Sequence, residues 1–177
     1  LIAGNFIKTT ALNTAVQQGA NDIPHMPPSD RIQVEGAVQK VGEVFTDYTT
    51  EAQSDTANDL PLLSTSPSVG DAWFFGCDNP CRIFNQEIDT AGVGTWTIVY
   101  EYWNGSEWKA LDNVQDLTTG FTVSGSNSTT WDMPTDWVTI GVTGSATNSY
   151  WGRARVSAFT NITTQPLGSR QRYENGQ

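Results

Sequence analysis

One histidine, His25, and two cysteines, Cys77 and Cys81, are all that this 177-residue chain offers of the side chains that dominate nucleophilic and metal chemistry. A serine or cysteine nucleophile needs a histidine base within reach. His25 lies in the proline-rich run Ile23-Pro24-His25-Met26-Pro27-Pro28 instead of on a scaffold. Two thiols and a remote imidazole fall short of a zinc site. No glycine-rich phosphate loop joins a strand to a helix. The sequence therefore predicts no enzyme, no metal and no cofactor.

Long apolar runs are missing too. No stretch approaches the ~20 residues of a spanning helix, so membrane insertion is not expected. Basic residues are scarce, nine against 19 acidic ones, for a formal net charge of −10. Autonomous nucleic-acid binding rests on a basic footprint, and that class is excluded. Apolar residues make up 37% of the chain, below the globular average of roughly 45–50%. Charged residues reach only 16%. Uncharged Ser, Thr, Asn and Gln fill the gap, as in proteins that live in assemblies or outside cells.

What is abundant is aromatic. Seven Trp stand against two Met, and aromatics total 11%, a composition suited to sheet faces. Trp96, Ile98, Tyr100 and Tyr102 alternate with Thr97, Val99, Glu101 and Trp103, the period-2 pattern of a strand covered on both sides. Asn104-Gly105 follows, a dipeptide suited to a tight hairpin turn, with Glu107 to Leu111 as the return. Further strands are predicted at Ile32–Val41, Ala72–Phe75, Arg82–Ile88, Phe121–Ser124, Trp137–Val142 and Trp151–Ala158. Turn chemistry separates them at Ser66-Pro67-Ser68, Asp78-Asn79-Pro80, Gly125-Ser126-Asn127 and Met133-Pro134. Such spacing indicates an all-β, antiparallel two-sheet sandwich of the jelly-roll kind.

Three zones follow. Residues 1–29 read as an extended N-terminal arm, with one short helix from Thr10 to Gln18. Residues 30–167 are the sandwich, and residues 168–177 read as a polar C-terminal tail.

Several groups invite chemistry. Glu101 and Glu87 are the pair to weigh for glycoside hydrolysis, which sets two carboxylates across a cleft. The alternative is that both are solvated or paired with Arg153 or Arg155. Trp103, Trp108, Trp131, Trp137 and Trp151 are candidates for a sugar-stacking platform, against a role as filling between the sheets. Asp47, Asp55, Asp59, Asp71 and Asp78 lack the spacing of a calcium loop. Cys77-Asp78-Asn79-Pro80-Cys81 has either a disulfide stapling a turn or two free thiols. It is not a redox motif, which has two intervening residues.

One set of residues carries a resemblance. Gly70-Asp71-Ala72-Trp73-Phe74-Phe75-Gly76 is followed by Tyr100-Glu101-Tyr102-Trp103-Asn104-Gly105-Ser106-Glu107-Trp108. Then come Pro134-Thr135-Asp136-Trp137 and Tyr150-Trp151-Gly152-Arg153-Ala154-Arg155-Val156. In this order the block, roughly residues 65–167, resembles a β-sandwich module of structural proteins in tailed bacteriophages. The resemblance implies a virion structural protein: first a capsid decoration (cement) protein on the phage head, alternatively a tail or baseplate component. Its partners would be the major capsid protein or other virion proteins, with homo-oligomers possible. A carbohydrate-binding module for host glycans is the competing class.

Attachment is expected through two surfaces. The arm supplies Ile2, Phe6, Ile7, Leu12, Val16, Ile23 and Met26, apolar residues in a segment too short of local order to bury them. Arg153, Arg155, Arg170 and Arg172 would form a basic face for acidic neighbours, with pairing to Glu101 or Glu107 as the alternative.

Overall fold

Trp73, Phe75 and Cys77 turn to one side of the strand Ala72–Cys77, while Ala72 and Phe74 turn to the other, and both sides are buried. A strand like that belongs inside a covered sheet. A computed structural model describes residues 31–175. The strands are β1 Ile32–Gln33, β2 Gly36–Val41, β3 Val44–Asp47, β4 Leu60–Pro61, β5 Ala72–Cys77, β6 Cys81–Thr90 and β7 Val93–Trp103. After them come β8 Trp108–Ala110, β9 Gln115–Asp116, β10 Gly125–Thr130, β11 Ile140–Gly141, β12 Asn148–Thr164 and β13 Leu167–Asn175. One four-residue helix, α1 Thr49–Ala52, is the only helix among the described residues.

The strands make two antiparallel sheets, a β-sandwich. One sheet runs β1-β13-β6-β10-β9 with β4 beside β13, and the other runs β3-β2-β5-β12-β7-β8 with β11 beside β12. Between them lies an aromatic core. Phe75 of one sheet stacks on Phe84 of the other, ring centroids 4.0 Å apart. Trp73 Nε1 donates to Gln171 Oε1 across the layers at 3.0 Å. Trp131 Nε1 donates to the Cys81 carbonyl at 2.8 Å, and Trp137 Nε1 to the Trp151 carbonyl at 3.1 Å. Buried indoles need such partners, and these bonds fix the rings as well as satisfy them.

A second apolar cluster covers the outer side of the seven-stranded sheet. Val38, Ala72, Phe74, Val142 and Trp151 are buried there, with Phe45, Trp108 and Ile140 against them. Close approach demands glycine at two points. A Cβ at Gly36 would meet Trp151 Cη2 at 2.5 Å, and one at Gly152 would meet Phe75 Cζ at 2.4 Å.

Several expectations are corrected. Leu167–Asn175 is a strand, not a polar tail; it lies between β1 and β6 and buries Ser169, Gln171 and Tyr173. Phe121–Ser124 is no strand. Asp116 captures the backbone N–H of Thr118 and Gly120, and Phe121 takes a φ of 72°. The adjoining Gly125–Thr130, expected to begin as a turn, is β10. Trp137–Val142 shrinks to Ile140–Gly141, and Ile32–Val41 breaks at Val34-Glu35. The hairpin at Asn104-Gly105 forms, with Trp103 opposite Trp108. Its loop has four residues: Asn104 Oδ1 accepts from the N–H of Ser106 and Glu107, and Gly105 sits at φ 100°. The helix expected at Thr10–Gln18 lies outside the described residues.

Candidate functional site

Glu101 on β7 faces Arg153 on β12 in register. The sheet's alternation turns both outward, because Tyr100, Tyr102 and Ala154 fill the core side. Arg153 Nε donates to Glu101 Oε2 at 2.6 Å. Arg155, two residues on, donates from Nη2 to Oε1 at 2.7 Å and from Nε to Oε2 at 3.0 Å. Glu101 is only 6% exposed. Burial alone would push its carboxyl up, but the two guanidiniums outweigh it and hold the group below its usual range. Burial lowers Arg153, while the bond to Glu101 raises Arg155. The Arg153 guanidinium also lies over the Trp108 ring, 4.5 Å from its centroid, with Phe74 at 5.8 Å. Both carboxylate oxygens of Glu101 are therefore engaged. Two of the four arginines expected on one basic face are spent inside this cluster.

The other two are elsewhere. Gln171 and Tyr173 point into the core, so Arg170 and Arg172 alternate onto the outer side of the six-stranded sheet. There they line a cleft of about 240 Å³ with Arg31, Asn85, Glu87 and Asp89. Arg170 pairs with Asp55, and Arg31 with Glu174 at 3.4 Å. Arg172 makes no ion pair among the described residues, and its buried Nε has no hydrogen-bond partner there. The four arginines thus divide between opposite outer faces of the sandwich.

Glu87 shares the cleft with Arg172, across the sandwich from Glu101. These two carboxylates do not flank a common space, which a glycoside mechanism requires. The tryptophans make no flat platform either. Trp131, Trp137 and Trp151 are buried in the clusters. Trp103 and Trp108 are inclined at 59° to each other.

The five aspartates weighed as calcium ligands mostly serve nearby backbone and side chains. Asp47 accepts from Thr49, and Asp71 from the N–H groups of Gly42 and Ser68. Asp55 takes Arg170 and Asp78 takes Tyr173. For Asp59, burial pushes the carboxyl up, and Glu51 and Asp89 nearby add to it. No group of three ligating side chains gathers among the described residues. Cys77 and Cys81 are free, buried thiols whose sulfurs lie 2.8 Å apart. The arm residues Ile2, Phe6, Ile7, Leu12, Val16, Ile23 and Met26 lie outside the described residues.

Sequence reasoning gave Asp136 no role beyond its place in the resemblance and did not single out Asp116. Asp136 accepts from the Tyr102 hydroxyl at 2.7 Å, beside Trp137, whose ring packs on Tyr102. Asp116 organises the loop before β10 and accepts from Thr129 at 3.1 Å. Their signal was the local one of an Asx turn two residues before Thr118, visible for Asp116 but not for Asp136, whose partner is distant in sequence. Comparison with protein-family models, with curated proteins and with solved structures returns no match.

Proposed function

We propose that the chain is a structural protein of a tailed-phage virion, a capsid decoration protein that binds and stabilises the major capsid lattice. One observation carries the reading. The residues of the resemblance, scattered over almost ninety positions, come together as one block, with β5, β12, β7 and β8 as neighbours in that order. Within it Glu101 holds Arg153 and Arg155, Trp108 covers Arg153, and Asp136 holds Tyr102. These residues are joints of a rigid sandwich. That suits a protein whose work is mechanical.

In this account the sandwich sits over a junction between capsid subunits and the arm reaches across a neighbour. Its apolar residues then contribute roughly 25 cal/mol for each Å² removed from water. Arg172, with Glu87 beside it, offers the sandwich a polar contact to the lattice. The test is rebinding. Phage heads stripped of the chain are mixed with the full-length protein and with a Phe6→Asp/Ile23→Asp double variant. The wild type is expected to saturate the heads and the variant to bind at least tenfold more weakly. Failure of the wild type to bind heads overturns the proposal; equal binding by both removes the arm from it.

A further inference from the structure

We propose that Cys77 and Cys81 form a disulfide that ties the two sheets together where the chain crosses from one to the other. Cys77 is the last residue of β5 and Cys81 the first of β6, so the pair brackets a three-residue passage between inner strands of the two layers. Both side chains are 0% exposed and belong to the core. Their sulfurs lie 2.8 Å apart, well inside the contact distance of two unbonded sulfur atoms.

The surroundings keep them there. Cys77 is in register with Tyr150, and Cys81 with Asn175. Trp131 Nε1 grips the Cys81 carbonyl at 2.8 Å. The turn Asp78-Asn79-Pro80 is pinned by the Tyr173 hydroxyl, which donates to Asp78 Oδ1 and accepts from the Asp78 N–H at 3.2 Å. Among the described residues no polar group competes for either thiol: the hydrogen-bond partner of each sulfur there is the other. Sulfurs so placed have only a short distance to close in forming a bond.

The chemistry is exchange with an oxidised small thiol such as glutathione disulfide. One cysteine thiolate attacks that disulfide, forming a mixed disulfide and releasing one reduced glutathione. The second cysteine then displaces the other glutathione. Two electrons and two protons leave the cysteines, and one glutathione disulfide becomes two thiols. Burial pushes the Cys77 thiol well above its ordinary value, which disfavours the attacking thiolate. The bond therefore forms while the crossover is open, during folding, and is protected afterwards. This inference does not depend on the phage reading.

The full-length protein is unfolded, refolded in a glutathione redox buffer, quenched with iodoacetamide under denaturing conditions and weighed by mass spectrometry. The expected product lacks two hydrogens, carries no alkyl group, and yields a linked Cys77–Cys81 peptide. Its Tm should exceed that of the reduced protein by about 5 °C, from the loss of freedom in the unfolded chain. A Cys77→Ala/Cys81→Ala variant should show the same Tm in oxidising and reducing buffer. Two alkylated cysteines, glutathione adducts on both, or covalent dimers as the main product would overturn the assignment. So would an internal disulfide that leaves Tm unchanged, because the tie would then hold nothing.

Discussion

Arg153 holds Glu101 at 2.6 Å from the neighbouring strand and lays the same guanidinium over Trp108. One side chain thus joins β12, β7 and β8. Arg155 closes the cluster from two residues on. Removing a partner from such a group leaves charge stranded in a poorly solvated place, and that costs more than the pair itself contributes. Glu101→Gln preserves shape and removes the charge. It is expected to lower the unfolding free energy by about 3 kcal/mol, read from urea unfolding followed by tryptophan fluorescence. A loss below about 0.5 kcal/mol, the scale of an exposed pair, would mean the cluster is ornamental.

The same cluster sets an acid limit. Glu101 has a folded-state carboxyl below its unfolded value, so the folded state binds its proton less readily than the unfolded state does. Its stabilisation is complete above the ordinary glutamate range, near ~4.3, and is lost as pH falls through the lowered folded value. Asp136, lowered by the Tyr102 hydroxyl, acts in the same direction. Stability should therefore fall from about pH 5 downward, and Glu101→Gln should flatten that fall. An identical acid slope in the variant contradicts the assignment.

Gly152 tests the packing of the two layers. Its missing Cβ leaves room for Phe75, which stacks on Phe84 of the opposite sheet. Gly152→Ala should push Phe75 off that stack and destabilise by about 2 kcal/mol, as overpacking a tight core does. Thermal unfolding measures it. The expected sign is opposite to the small gain that glycine-to-alanine changes give at unstrained, roomy positions.

How much the sequence discloses follows from what each strand needs. β5, β7 and β12 are rich in aromatic residues, and their strand type is legible in the pattern, whereas the pairing of β12 with β5 and β7 is not. The hairpin is legible because Asn104 and Gly105 have local reasons to turn. β13 is not legible. Its sequence, Leu-Gly-Ser-Arg-Gln-Arg-Tyr-Glu-Asn, has few apolar residues. The Oε1 of its inward Gln171 is satisfied by Trp73, ninety-eight positions away, which donates to it. β10 is hidden for the same reason, since its buried Thr129 meets Asp116 and Tyr100. Interior polar contacts of this range leave no trace in a local pattern. The arginine surface was misjudged by geometry: Arg153 and Arg155 are on one sheet, Arg170 and Arg172 on the other, and sequence proximity says nothing of which face each meets.

That difference has a direct consequence for truncation. Were residues 168–177 a tail, deleting them would be harmless. With β13 lodged between β1 and β6 and Tyr173 in the core, deletion strips the six-stranded sheet of an inner strand. The shortened chain is expected to lose cooperative unfolding by circular dichroism. A sharp transition near that of the full chain would contradict the topology.

The central claim, a structural place in a phage head, is tested most directly by quantitative mass spectrometry of purified virions separated into heads and tails. The account predicts this chain in the head fraction, in a fixed ratio to the major capsid protein. Recovery with the tails alone would contradict decoration and favour a baseplate or tail role, and absence from both fractions would contradict the virion reading altogether.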